Sequence, residues 1–197
     1  FETNATLRVV SSGKVIVETS VGVGEYINEI IENPEVYEDS YQMVLALKDY
    51  CIAARAYFGG KDVEDFNCDL NEKLSAYGKI ELKKGKIVPV AYSLMLEDCT
   101  KIRIYYRGDG SEICKINGKP VGSAAIGNSD GRYIEIDNIS AENLNSKFSV
   151  SIDDTAFIVS AFDYIKRAAE TENDKNFLNL LKSLVLYCES ANAYFGG

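Results

Sequence analysis

Tyr50-Cys51-Ile52-Ala53-Ala54-Arg55-Ala56-Tyr57-Phe58-Gly59-Gly60 and Tyr187-Cys188-Glu189-Ser190-Ala191-Asn192-Ala193-Tyr194-Phe195-Gly196-Gly197 are two versions of one phrase, 137 positions apart and identical at eight of eleven sites. The glycine pair closing each is a helix C-cap signal, because glycine takes the left-handed conformation without a Cβ clash. Upstream, the spacing of Val44, Leu47, Cys51, Ala54 and Phe58 superposes on that of Leu181, Leu184, Cys188, Ala191 and Phe195. Small residues in the middle of each stripe let two helices approach closely. Each copy also follows a shorter helix bearing Tyr-Ile, at Tyr26-Ile27 and Tyr164-Ile165. The repeat predicts two pseudo-symmetric helical hairpins packed together as a four-helix layer. Core packing and capping account for every repeated residue, so the phrase reads as scaffold.

Outward from the first copy, Leu7/Val9 and Val15/Val17 alternate around Ser11-Ser12-Gly13 and predict a β-hairpin. Helical spacing runs from Val23 to Ile31, stops at Asn33-Pro34, and resumes from Tyr41 to Phe58. Outward from the second copy, a helix is expected over Ala156–Ala169, a polar break at Thr171–Asp174, and a last helix over Asn176–Phe195. Between them, Ile80/Leu82, Ile87/Val88/Val90, Leu94/Leu96, Ile102/Ile104, Ile113/Ile116, Tyr133/Ile134/Ile136 and Phe148/Val150/Ile152 form short runs. Turn residues at Lys84-Gly85-Lys86, Gly108-Asp109-Gly110, Asn117-Gly118 and Asp130-Gly131 separate them, and Asn138–Leu144 reads as a short helical or turn crossover. That pattern predicts an antiparallel sandwich-like region. The expected class is therefore α+β, one composite domain over 1–197. Its helical layer spans about 20–60 and 154–197, and its β region about 1–19 and 61–153.

Composition narrows the function. With 46% apolar residues the chain can bury a sizeable core. A formal charge of −9 repels phosphate backbones and anionic lipid, which argues against nucleic acid and membrane surfaces. No apolar run reaches the roughly 20 residues of a membrane span. Phe1-Glu2-Thr3 begins inside a strand-like pattern and not a leader, as in an excised domain or a mature chain. Histidine is absent, which removes the commonest general base and zinc ligand, and tryptophan is absent beside 13 tyrosines.

The five cysteines include no Cys-x-x-Cys pair. Cys51 and Cys188 hold equivalent stripe positions. If the long helices cross there, a disulfide between them is geometrically allowed, and two thiols in contact would give the same sequence. The acids Glu35, Glu38, Asp39, Asp62, Glu64, Asp65, Glu170, Glu172 and Asp174 have the spacing of solvated loop residues, not of a glycosidase pair. Asn128-Ser129-Asp130-Gly131 lacks the alternating oxygens of a calcium loop. Arg107-Gly108-Asp109 spells an integrin-read tripeptide, but hairpin turn chemistry explains it. No catalytic, cofactor or metal residue is assigned, and a non-enzyme is expected.

The segment Asp49-Tyr50-Cys51-Ile52-Ala53-Ala54-Arg55-Ala56-Tyr57-Phe58-Gly59 resembles one found in large surface and secreted multidomain proteins of gut clostridia, of Lachnospiraceae and Ruminococcus type. Ala91–Glu97 followed by Ile102–Tyr106, then Tyr133–Ile139, then Leu186–Phe195, are similar to later segments of that group in the same order. The resemblance covers about Tyr26 to Gly197 and departs at Cys51 and Cys188, where the group has small or polar residues. It implies a cell-surface or secreted accessory module beside leucine-rich repeats, Ig-like repeats or wall anchors. Some proteins of this make-up bind host immunoglobulin as superantigens.

The expectation is thus a non-catalytic extracellular binding module for a host protein, immunoglobulin first. A carbohydrate-binding module is the alternative, with Tyr92, Tyr105, Tyr106 and Tyr133 as binding-face aromatics if they share one exposed sheet face. A structural spacer between neighbouring domains is the third.

Overall fold

Each copy of the repeated phrase closes a long helix, and the rest of the chain is arranged around that pair. The computed structural model describes residues 4–11, 14–61, 63–82, 85–87, 89–96, 99–127 and 130–196. The expected strand start at Phe1–Thr3, the turn residues Ser12 and Gly13, and Asp62, Lys84, Val88, Asn128 and Ser129 lie outside them. The protein is α+β, with five α-helices and two four-stranded antiparallel sheets beside a two-stranded hairpin among the described residues.

That hairpin opens the chain. β1 (Asn4–Ser11) pairs antiparallel with β2 (Lys14–Gly22), Val9 opposite Val17. α1 (Val23–Glu32) follows directly, the Glu25 carboxylate accepting the Gly22 N–H at 3.1 Å. It buries Ile27 and Ile30, three residues apart on one face. After Asn33-Pro34, α2 (Glu38–Gly59) ends where Gly60 turns left-handed at φ 64° and donates to the Ala56 carbonyl.

The middle of the chain supplies the sheets. An arm from Lys61 leads through α3 (Leu70–Lys73), a single turn capped by Asp69 and too short for a periodic signal. β3 (Pro89–Leu96), β4 (Thr100–Arg107), β7 (Ala124–Ala125) and β8 (Gly131–Ile139) form one sheet in the order β3-β4-β8-β7. β5 (Cys114–Ile116), β6 (Lys119–Val121), β9 (Phe148–Ile152) and β10 (Thr155–Val159) form the other, ordered β10-β9-β5-β6. Strand alternation sends Ile102, Ile104, Tyr106, Ile134 and Ile136 of the first sheet inward, and Val150, Ile152, Phe157 and Val159 of the second. Both sets join one buried cluster with α4 (Ala161–Thr171) and α5 (Lys175–Phe195).

Three expectations need correction. Ala156–Val159, expected as the start of a helix, belongs to the strand Thr155–Val159. Thr155, Phe157 and Val159 are buried at period two while Ile158 is exposed, and the helix starts only after Ser160 caps it. Ile80 and Leu82 lie in irregular backbone, not in a strand. Gly108-Asp109 does not turn a hairpin, because β4 and β5 belong to different sheets and the loop crosses between them. Asn117-Gly118 is a hairpin turn, with φ 50° and 77°.

α2 and α5 pack antiparallel, Tyr50 stacked on Tyr187 at 6.1 Å and Tyr57 against Phe177 at 5.3 Å. Of the repeated tyrosines, Tyr50 and Tyr187 thus meet across the contact between the two long helices. The repeated apolar stripes do not face each other across it. Val44 packs with Ile27 and Ile30 of α1, whereas Leu181, Leu184 and Cys188 point into the sheet core. Cys51 and Cys188 therefore have different neighbours, and both are free thiols, as are the other three cysteines. The disulfide allowed by the sequence is not formed.

The duplication is longer than the phrase. β9–β10–α4–α5 repeats β1–β2–α1–α2 element for element. Ser160 and Asp163 form a capping box where Glu25 accepts the Gly22 N–H, just ahead of the two Tyr-Ile pairs. Anchored on those caps, Leu7 opposite Thr19 takes the place of Val150 opposite Phe157.

Candidate functional site

Of the four tyrosines expected to share a face, two do. Tyr105 and Tyr133 stand opposite each other on β4 and β8, rings 6.0 Å apart, on the face turned away from the core. Arg103 lies 4.8 Å above the Tyr133 ring, and its Nε donates to Glu135 at 2.8 Å. Tyr106 is fully buried on the inner face. Its hydroxyl lies 3.5 Å from both Glu112 Oε2 and Cys114 Sγ, and burial pushes the phenol up to about 12. Neighbours on a strand point to opposite faces, so Tyr105 and Tyr106 cannot share one. Tyr92 pairs with Ile104 and so lies on the inner side, at the sheet's end strand.

There Tyr92 builds a different site, together with residues the sequence reading missed. Its ring stands edge-on to Tyr164 of α4 at 6.2 Å. Arg167 donates to the Tyr92 hydroxyl at 3.2 Å, with its guanidinium carbon 5.4 Å from the ring centre. Burial pushes the Tyr92 phenol up, against the pull of Arg167, whose own value is raised by that hydrogen bond. Two adjoining depressions of about 220 and 360 Å³ share Val90, Ala91, Tyr92 and Arg167. Val90 is 61% exposed on the end strand.

α4 positions this cluster. The Ser160–Asp163 box fixes its first turn, and Asp163 also accepts the Gly78 N–H at 2.8 Å, tying the arm to the helix. Tyr164 and Arg167, three residues apart, then face β3 together. The helix starting at Ser160 would have placed them in sequence; starting it at Ala156 obscured that register.

The remaining candidates are separated. Glu35, Glu38, Asp39, Glu64, Asp65, Glu170, Glu172 and Asp174 are all exposed. Asp65 is held below its ordinary value by its 2.6 Å contact with Lys182, and Asp174 caps α5. Among the described residues, no group of three acids or cysteines is placed to hold a metal ion. Asp109 of the Arg-Gly-Asp tripeptide accepts from the Ser111 N–H and hydroxyl, which lowers its pKa and turns it to its own loop. Burial pushes the thiols of Cys51, Cys68, Cys114 and Cys188 up, the last to about 11, which disfavours the nucleophilic thiolate. No helix among the described residues is long and apolar enough to cross a membrane. No family model, curated protein or solved structure matches the chain.

Proposed function

We propose that this chain is a non-catalytic binding module of a cell-surface or secreted gut bacterial protein, with a host protein of immunoglobulin type as ligand. The β3–α4 face is its contact surface. One observation carries the reading. An end strand with exposed Val90 lies beside a tyrosine pair and an arginine, the residue types that anchor protein interfaces. An end strand also offers unpaired backbone groups to an added strand. The raised thiol values and the absence of histidine support a role without catalysis. In the same reading, α1–α2 and α4–α5 are two pseudo-symmetric hairpins, and the two four-stranded sheets form a sandwich-like body that presents the face.

The test is biolayer interferometry of the folded chain on immobilised human immunoglobulins G and A. Binding is expected, and Arg167→Ala should weaken it by about tenfold or more, as loss of an interface anchor does. No binding to either, or binding unchanged in Arg167→Ala and Val90→Lys, overturns the proposal.

A second reading rests on Tyr105 and Tyr133. Their rings, with Arg103 and Glu135, form an outer sheet face of the make-up that stacks on sugars. Retention on a glycan array that Tyr133→Ala abolishes would favour it.

A further inference from the structure

The two copies of the β-hairpin–helix–helix unit are not equally covered. In the second copy, the arm 61–78 lies along α5 and α4. Asn179, fully buried, accepts from the Phe66 N–H and donates to the Glu64 carbonyl. Lys182 pairs with Asp65 at 2.6 Å, and Glu189 with Lys73 at 2.6 Å. Further on, Lys166 donates to Asn71 at 3.0 Å, Asp163 holds the Gly78 N–H, and buried Phe162 packs edge-on against Tyr77 at 5.2 Å. Leu74, at the arm's centre, is fully buried.

The matching positions of the first copy are open. Gln42, Leu45 and Ile52 of α2 correspond to Asn179, Lys182 and Glu189, and Gly24 and Asn28 of α1 to Phe162 and Lys166. Gln42 is exposed and Ile52 is 42% exposed. A Cβ added at Gly24 meets nothing within 4 Å. Tyr26, matching the half-buried Tyr164, is 51% exposed. Gly24, Asn28, Cys51 and Ile52 line a depression of about 490 Å³ where α3 and Gly78 would sit. A second, of about 370 Å³ beside Gln42 and Ala193, lies where the start of the arm would sit.

We infer that the α1–α2 face is a docking surface for a further copy of the arm 61–78, carried with the β region that follows it. The chain already shows one such arm bound to the equivalent helix pair. Gln42 retains the amide that clamps the arm's backbone. Leu45 and Ile52 replace the two ion-pairing residues, so this contact is more apolar than its counterpart. The unit 61–197 is then a module that stacks in series, each helix pair covered by one arm.

The test extends the 197-residue chain at its N-terminus by a copy of its own residues 61–147, the order found in the second unit. Cys51 lines the open depression, so its alkylation by iodoacetamide, mapped by mass spectrometry, reports coverage. In the extended chain Cys51 should react about tenfold more slowly than in the parent, with slower amide exchange in α1. A second extended chain carrying Leu45→Lys and Ile52→Glu restores both ion-pair partners and should protect Cys51 at least as well, whereas Ile52→Lys, facing Lys73, should weaken protection. Parent-like reactivity of Cys51 in both extended chains, whether or not the added segment folds, overturns the inference.

Discussion

Strand parity decides which tyrosines can work. Tyr105 and Tyr106 are adjacent, yet one faces solvent and the other is fully buried. Tyr106→Phe removes the hydroxyl contacts to Glu112 and Cys114 and should cost about 1 kcal/mol in urea unfolding. The buried thiol and phenol also set an alkaline limit. Both have folded values above their ordinary ones, Cys188 about 11 against 9.0 and Tyr106 about 12 against 10.0. A raised value favours the neutral form in the folded state, so this stability is fully present below pH 9.0 and is lost as pH rises toward 11 and 12. Urea midpoints should fall between pH 8 and 10.5, and Cys188→Ala should flatten the fall in the lower part of that window. An unchanged slope in the variant would contradict this assignment.

Among elements, the two N-terminal helix caps differ in what depends on them. Glu25 caps α1 at an exposed position, while Asp163 caps α4 and also holds the arm through Gly78. Asp163→Ala should cost about 2 kcal/mol, and Glu25→Ala about 0.5 kcal/mol, in the same unfolding measurement. Equal costs would mean that the arm contact contributes little. On α2 and α5, Ala53 and Ala191 are fully buried, and Ala191→Leu should destabilise by about 1–3 kcal/mol through overpacking. The long helices and their ends were readable from the glycine pairs and the repeated stripe, because caps and periodicity are local. The face each stripe presents was not, since Val44 meets α1 while Leu181 meets the sheets. Ala156–Val159 reads as helix because Ile158, Ala161, Phe162 and Ile165 fit helical spacing when the Ser160 cap is overlooked.

For the whole molecule, a duplicated hairpin–helix–helix unit frames two sheets, and no bond crosses between the paired thiol positions. Intact mass after alkylation should show five modified cysteines without reductant, identical to the reduced sample; a two-thiol difference at Cys51 and Cys188 would contradict the observed side-chain directions. The class and the four longer helices were legible from 3.6- and 2-residue periods, whereas the single turn α3 was not. The candidate site was legible only through Tyr92, because Val90, Tyr164 and Arg167 join it by the packing of α4 on β3, a contact distant in sequence. The most direct test of the proposed binding is hydrogen exchange of the chain with and without human immunoglobulin. Protection confined to Pro89–Tyr92 and Tyr164–Thr171 is the predicted result. Protection at Tyr105 and Tyr133 instead, or none anywhere, would contradict the β3–α4 face as the binding surface.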